Sequence, residues 1–186
     1  RAAQVFAKLG CELESADPDI ENSEHCFRVI ASSDTAANLA DKLDEWGDKM
    51  DRLLPRFVQM GQSFSGIEVQ KANHQRQALW NCIQPFFEKY DLLLTPTLAV
   101  PPFEVESMGP RFIDGVKVSP TGWINFTFPF NLTWQPAATV PAGWTKDGLP
   151  IGLQIVGRRH DDVTVLRAAA AYEEANPWAH RRPSNA

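Results

Sequence analysis

The 186-residue chain is 44% hydrophobic, which is enough apolar mass to bury a core in one compact unit without disulfides or metals. Its 18 basic and 23 acidic residues give a net charge of −5, which argues against nucleic acid or an anionic membrane as a partner, because both require concentrated positive charge. Cys11, Cys26 and Cys82 are odd in number and widely spaced, with no CxxC pair, so they read as reduced thiols rather than a disulfide framework or zinc site and point to the cytoplasm.

In chain order, "RAAQVFAKLG" places Val5, Phe6 and Leu9 on one helical face and stops at Gly10, and "CELES" then suits a short strand. Asp17, Pro18 and Asp19 mark a turn, and residues 20–31 are ambiguous between helix and loop. From Ser32 the pattern is helical: Ser33 or Asp34 serves as N-cap, Ala37, Leu39, Leu43, Trp46, Met50, Leu53 and Leu54 recur at helical intervals, and Pro55 and Gly61 interrupt them. A second long helix is expected over 67–90, with Ala72, Leu79, Ile83, Phe86 and Phe87 inward and a kink at Pro85. The run "YDLLLTPTLAVPPF" suits a strand buried on both faces of a sheet. Residues 101–120 hold four prolines and two glycines, which predicts a long loop flanking a pocket. "SPTGWINFTFPFNLTWQ" reads as a short helix and a turn, and "AATVPAGWT" and "PIGLQIVGR" as a hairpin closed at Asp147 and Gly148. Asp161 or Asp162 caps a last helix with Val163, Leu166 and Ala170 inward, and residues 177–186 read as a tail.

No complete catalytic set emerges from these residues. "GQSFSG" at 61–66 lacks the G-x-S-x-G spacing and follows a helix, so its serines read as loop or cap residues. Ser32 and Ser33 also read as caps. His25, His74, His160 and His180 lie at no spacing that would build a metal face, and no metal or cofactor is expected. Trp123, Trp134 and Trp144 read as core fillers, with Trp123 and Trp134 placed to line a cavity beside the aromatic turn. The sequons at Asn125 and Asn131 are taken as chance matches, and no phosphate-binding loop is present. No run reaches the roughly 18 apolar residues of a membrane span, and the first residues lack the apolar run of a signal peptide. The chain starts without Met and in a helical pattern, which suggests a piece of a longer protein.

"FNLTWQPAATVPAG" followed by "GLPIGLQIVGRRHDDVTVLRAAAAYE" resembles the C-terminal end of the amidase signature family, whose members carry Asn-x-x-Gly-x-Pro-Ala, then Val-Pro-x-Gly, then Gly-Leu-Pro-x-Gly-x-Gln. Here these fall on Asn131 with Pro136 and Ala137, on Val140 to Gly143, and on Gly148 to Gln154. Thr133 and Trp134 depart from the pattern, standing where many members have a small residue and Gly. "YDLLLTPTLAVPPF" is similar to the family's buried strand, and the first helix with "CELES" to its helix-strand unit.

The resemblance implies an α/β fold in which residues 1–186 form the C-terminal part of one domain, with part of a mixed β-sheet flanked by α-helices. It also implies hydrolysis of carbon–nitrogen amide bonds by a Ser–cis-Ser–Lys triad carried in an N-terminal half that is not among these residues, so no catalytic residue is assigned here. Thr95, Thr97 and Leu98 at the end of the buried strand, and Asn131 and Trp134 in the aromatic turn, are expected to line the substrate wall. The expected partners are a small-molecule amide, the N-terminal half, and a second copy through uncovered apolar surface. Two other readings stand beside this one: a non-catalytic ligand-binding or interaction module on the same scaffold, and a segment of a glutamyl-tRNA amidotransferase A-type subunit.

Overall fold

A computed structural model describes residues 1–20, 23–105 and 107–182. Its centre is a three-stranded antiparallel sheet in the order β1, β5, β4: β1 is Leu92–Pro96, β4 Ala137–Trp144 and β5 Pro150–Gly157. Side chains alternate across a strand, so each strand serves two faces. On one face Leu93 and Val156 join a core cluster with Val29, Ala72, Leu79, Ile83, Phe87, Phe130 and Leu132. These come from helices α2 (Glu24–Leu39), α5 (Gly66–Lys89) and α6 (Phe128–Thr133). On the other face Val140, Leu153 and Ile155 pack with Phe6 of α1 (Ala3–Lys8) and Val165 and Tyr172 of α7 (Asp162–Ala175). Helices therefore flank an α/β sheet, as expected. Among the described residues all of this sheet's strand pairs are antiparallel.

The local rules hold where signals are strong. Gly10 ends the α1 region at φ 93°. Ser65 caps α5: its Oγ accepts from the Glu68 backbone N–H while Glu68 accepts from the Ser65 N–H, so the serines of "GQSFSG" include a true helix cap. Ala72, Leu79, Ile83 and Phe87 are buried as the period predicts, and Pro85 lies within the helix. The hairpin closes with Gly148 at φ 80°, its N–H donating to Thr145 O at 3.1 Å. Asp161 caps α7 by accepting from Thr164 N–H at 3.3 Å.

Several expectations are overturned. Cys11 to Ser15 form no strand and are exposed, because no strand pairs with them among the described residues. α2 begins at Glu24, so Ser33 and Asp34 lie within it and cap nothing. Ser32 is wholly buried there, and its Oγ donates back to Arg28 O at 2.6 Å. The long helix expected after Ser32 breaks at Ala40 into short turns and α3 (Leu43–Trp46). Pro55 does not interrupt a helix but sits in the first turn of α4 (Leu54–Ser63), where its missing N–H costs nothing, and Gly61 lies inside α4. The strand β1 is only half-covered: Leu93 is buried, but Leu92 and Leu94 are intermediate, because β1 is an edge strand among those described. The proline-rich loop contains a small hairpin, β2 (Phe112–Ile113) and β3 (Val116–Lys117), turned by Asp114 and Gly115 at φ 47° and 74°.

The inward face of α7 is also rotated from the one expected. Val163 and Leu166 are 56% and 65% exposed and Ala170 is exposed, while Val165 and Tyr172 are buried. The Tyr172 ring stacks on Phe6 at 5.5 Å, and this contact, rather than the helix's own alanine-rich pattern, sets its rotation. Leu9 is 44% exposed, beyond the face that buries Phe6. Of the tail, Trp178 packs against the α1–α7 cluster and Arg181 lies 4.1 Å from the Trp144 ring centre, while 183–186 fall outside the described residues.

Candidate functional site

The face of the sheet that carries Leu93 and Val156 changes character toward one end. Register places Leu93 opposite Val156 and Val156 opposite Ala137, then Thr95 opposite Gln154 and Gln154 opposite Thr139. The same side chains two residues further on are Thr97 and Gly152. The apolar half of the face lies under α5 and α6, and the polar half continues past their cover as a threonine and glutamine strip.

Gln154 organises this strip. It is 4% exposed, and its Nε2 donates to Thr95 Oγ1 at 2.9 Å and to Phe126 O at 2.7 Å, so one buried amide ties β1 and β5 to the aromatic segment. Thr97 sits just after β1, with its N–H donating to Gly152 O at 3.0 Å and its hydroxyl 2.6 Å from that of Thr139. Glycine at 152 is required here, because a Cβ would meet Thr97 Oγ1 at 2.5 Å. The strip is therefore a cross-linked wall in which these bonds use the proton of only one of the three hydroxyls.

Beside it opens a cleft of about 830 Å³, lined by Ser15 to Pro18, by Leu94 and Thr95 of β1, and by Asn125, Phe126 and Phe130 among others. Of the five residues expected in the substrate wall, Thr95 lines this cleft. Thr97 lies two residues along the same strip, and Leu98 is half-buried in the bend after β1. Asn131 is exposed on α6 and does not line this cleft. Trp134 takes the left-handed conformation at φ 59° and ψ 36°, the position where the motif carries Gly, and its ring is 58% exposed over Arg76 and Arg159. Sequence reasoning missed Gln154, Asn125 and Phe126 as wall residues. A lone glutamine within the apolar run "PIGLQIVG" is the signal that identifies the first.

The proline-rich segment is pinned next to the wall. Ser119 Oγ and Thr121 Oγ1 both donate to Glu24 Oε1, the latter at 2.7 Å, and Ala99 N–H donates to Trp123 O at 3.0 Å. Phe103 meets Trp123 edge-on at 5.0 Å. Trp123 thus anchors the loop, and it does not line the large cleft. Among the described residues no group of three His, Cys, Asp or Glu side chains could hold a metal ion, and no helix is long and apolar enough to cross a membrane. The wall can bind and orient an uncharged polar group beside aromatic rings, but it presents no activated nucleophile.

Comparison with known proteins bears on this geometry. The family model described as Amidase matches residues 1–166. The chain is 34% identical over 189 residues to an acylamidase of Rhodococcus erythropolis, covering 99% of this chain and 39% of that protein. It is 29% identical to the A-type subunit of a glutamyl-tRNA(Gln) amidotransferase of Thermodesulfovibrio yellowstonii, covering 98% of this chain and 42% of that one. A solved bacterial aryl acylamidase of the amidase signature family superimposes with a TM-score of 0.84 at 29% identity, over 98% of this chain and 41% of its own. The chain thus spans about 40% of the length of the curated relatives it matches.

Proposed function

The chain belongs to the amidase signature family, and from that premise we propose that it is the C-terminal, wall-forming part of an amide-bond hydrolase. In this reading the Ser–cis-Ser–Lys triad stands on other polypeptide, and these 186 residues alone do not turn over amides. The observation that carries it is the polar strip of Thr95, Gln154, Thr97 and Thr139 ending beside an aromatic cleft, a surface suited to hold an amide substrate and lacking any group to attack it. Asn131 and Trp134 lie outside this cleft, and a substrate contact for them in the longer polypeptide is proposed from their place in the family motif alone. The aromatic lining, together with the likeness to an acylamidase and an aryl acylamidase, favours small or aryl amides. Phe103, Val105, Met108, Phe112 and Val116 expose apolar surface that supports self-association of this chain.

The test is an assay of the 186-residue chain beside a polypeptide of full family length, on simple aliphatic and aryl amides. Hydrolysis by the longer polypeptide alone supports the reading. Turnover by the short chain, or none by either, overturns it. Enlarging Thr97 to Leu in the active polypeptide should shift the preference between aliphatic and aryl amides. The likeness to an A-type amidotransferase chain supports a second reading, in which the longer polypeptide releases ammonia for a partner, and glutamine as the preferred amide would select it.

A further inference from the structure

In a second cleft, whose lining shares no residue with the first, we propose a binding site that takes a carboxylate, with Arg159 and Gln135 as its donors. The site does not depend on the amidase reading. It is a cleft of about 330 Å³ between α5 and the segment after β5, lined by Trp80, Phe87, Glu88, Gln135, Arg158 and Arg159, among others. The Arg159 guanidinium carbon lies over two indoles, 5.1 Å from the Trp80 ring centre and 4.8 Å from that of Trp134. A cation held over aromatic rings in this way keeps its N–H groups available for hydrogen bonds. Arg159 Nε is buried and has no acceptor among the described residues.

A second donor lines the same cleft. Gln135 is 7% exposed, and its buried Nε2 also lacks an acceptor, while its Oε1 meets the Thr133 hydroxyl. Arg158 contributes charge; its Nε and Nη2 donate to Phe87 O, at 3.1 and 2.6 Å, which fixes the side chain without exhausting the five N–H donors of a guanidinium. A buried donor without a partner is costly, and two of them in the lining of one cleft beside two positive charges suit an anionic acceptor such as a carboxylate. Trp80 and Phe87 add apolar surface, so a carboxylate bearing an aryl or alkyl group fits best. Glu88 is the one acidic residue in the lining, which makes its carboxylate the internal competitor for the same donors.

The direction of the Gln135 amide decides whether there are two donors or one. Thr133 Oγ1 also lies 2.9 Å from Pro129 O, and its single proton serves one acceptor. Nε2 is the unpartnered atom, and a donor, when that proton goes to Gln135 Oε1. A reversed amide would instead donate to Thr133 and leave Oε1, an acceptor, unpartnered.

The test is an NMR titration of the 15N-labelled 186-residue chain with benzoate, acetate and phosphate at constant ionic strength. It follows the Arg159 Nε–H, the Gln135 side-chain amide and the Trp80 and Trp134 indole N–H signals. Benzoate should give saturable shifts at these groups and bind more tightly than phosphate. Arg159→Gln should weaken binding about tenfold or more, and Gln135→Leu several-fold, each with circular dichroism confirming the fold. Glu88→Gln should tighten it, and a response seen only in Glu88→Gln supports the site with Glu88 as its resident carboxylate. No saturable shift in either the parent or Glu88→Gln, tighter binding of phosphate, or unchanged binding in Arg159→Gln overturns the proposal. Unchanged or tighter binding in Gln135→Leu also overturns it, by showing the amide reversed. Should Arg159→Gln fail to fold, Gln135→Leu and Glu88→Gln still decide.

Discussion

Gly61→Ala offers a test in which two physical effects have opposite signs. At an ordinary exposed helix position this change is favourable by about 1 kcal/mol, because alanine loses less backbone freedom than glycine. Gly61, however, lies within α4 where that helix crosses α2. A Cβ there would stand 2.0 Å from the Ser32 carbonyl oxygen, 2.5 Å from its carbon and 2.8 Å from Ala36 Cβ. Ordinary carbon contacts lie near 3.5 to 4.0 Å, so the two helix backbones must separate by roughly an ångström. The adjoining Val29 and Val58 are both 0% exposed, so the shift opens a closed contact. Overpacking of this kind costs about 1–3 kcal/mol, and a backbone obstacle cannot rotate aside as a side chain would, so the upper end applies. After subtracting the propensity gain, the net loss is about 2 kcal/mol, or a fall in Tm of roughly 4–8 °C for a chain of this size. The assay is a pair of thermal or urea melts with Gly66→Ala as control, since a Cβ at Gly66 meets nothing within 4 Å. Gly61→Ala melting at or above the parent, or both variants shifting alike, would refute the packing argument.

Other expectations follow from the same structure. Trp134 holds a left-handed backbone that costs a non-glycine residue about 1–2 kcal/mol, so Trp134→Gly should be more stable than Trp134→Ala by about 1 kcal/mol in denaturant melts. Equal stability would mean that the backbone relaxes without glycine. Ser65→Ala removes the capping box of α5 and should cost about 1 kcal/mol, with the loss seen as faster amide exchange in the first turn. Burial raises the Tyr172 phenol above its ordinary 10.0, against a lowering hydrogen bond with Asn176, and burial raises the Cys26 thiol above 9.0, against the nearby Arg76 charge. The folded chain therefore keeps these protons longer than the unfolded one, and their contribution is full below about pH 9 and lost as the pH rises through the raised values. Melting temperature should fall above pH 9, and Tyr172→Phe should flatten the slope above pH 10; an unchanged slope would sink that attribution. Gly152→Val should destabilise by about 1–3 kcal/mol, because its Cβ lies 2.5 Å from Thr97 Oγ1 and its methyls would break the Thr97 and Thr139 contact, visible as altered methyl NMR signals of both threonines.

How much of this was legible beforehand differs by element. α5 was readable because its cap, period and length agree: Ser65 and Glu68 lie at capping-box spacing, and Ala72, Leu79, Ile83 and Phe87 repeat on one face. The β4–β5 hairpin was readable because Asp147 and Gly148 supply turn chemistry between two apolar runs. α2 was misread at its start because Ser32 and Ser33 look like caps, and only the neighbouring α4 explains why a serine is buried there: the close helix crossing at Gly61 needs a small residue. Thr95, expected at the wall from its place at a strand end, lines the candidate cleft, whereas the contacts of Gln154, Asn125 and Phe126 were not legible, since a polar residue in a strand declares no partner until the strands are paired.

The sequence by itself determined the local elements whose caps and periods are self-contained, and, through ordered motifs from Asn131 to Gln154, the family. It did so because turn, cap and motif signals act over a few neighbouring residues. Only the tertiary structure decided which face of α7 turns inward, which glutamine ties the wall together, and that Arg159 lies over the rings of Trp80 and Trp134. Each of these depends on groups brought together from distant parts of the chain, and a one-dimensional pattern carries no term for contacts of that kind.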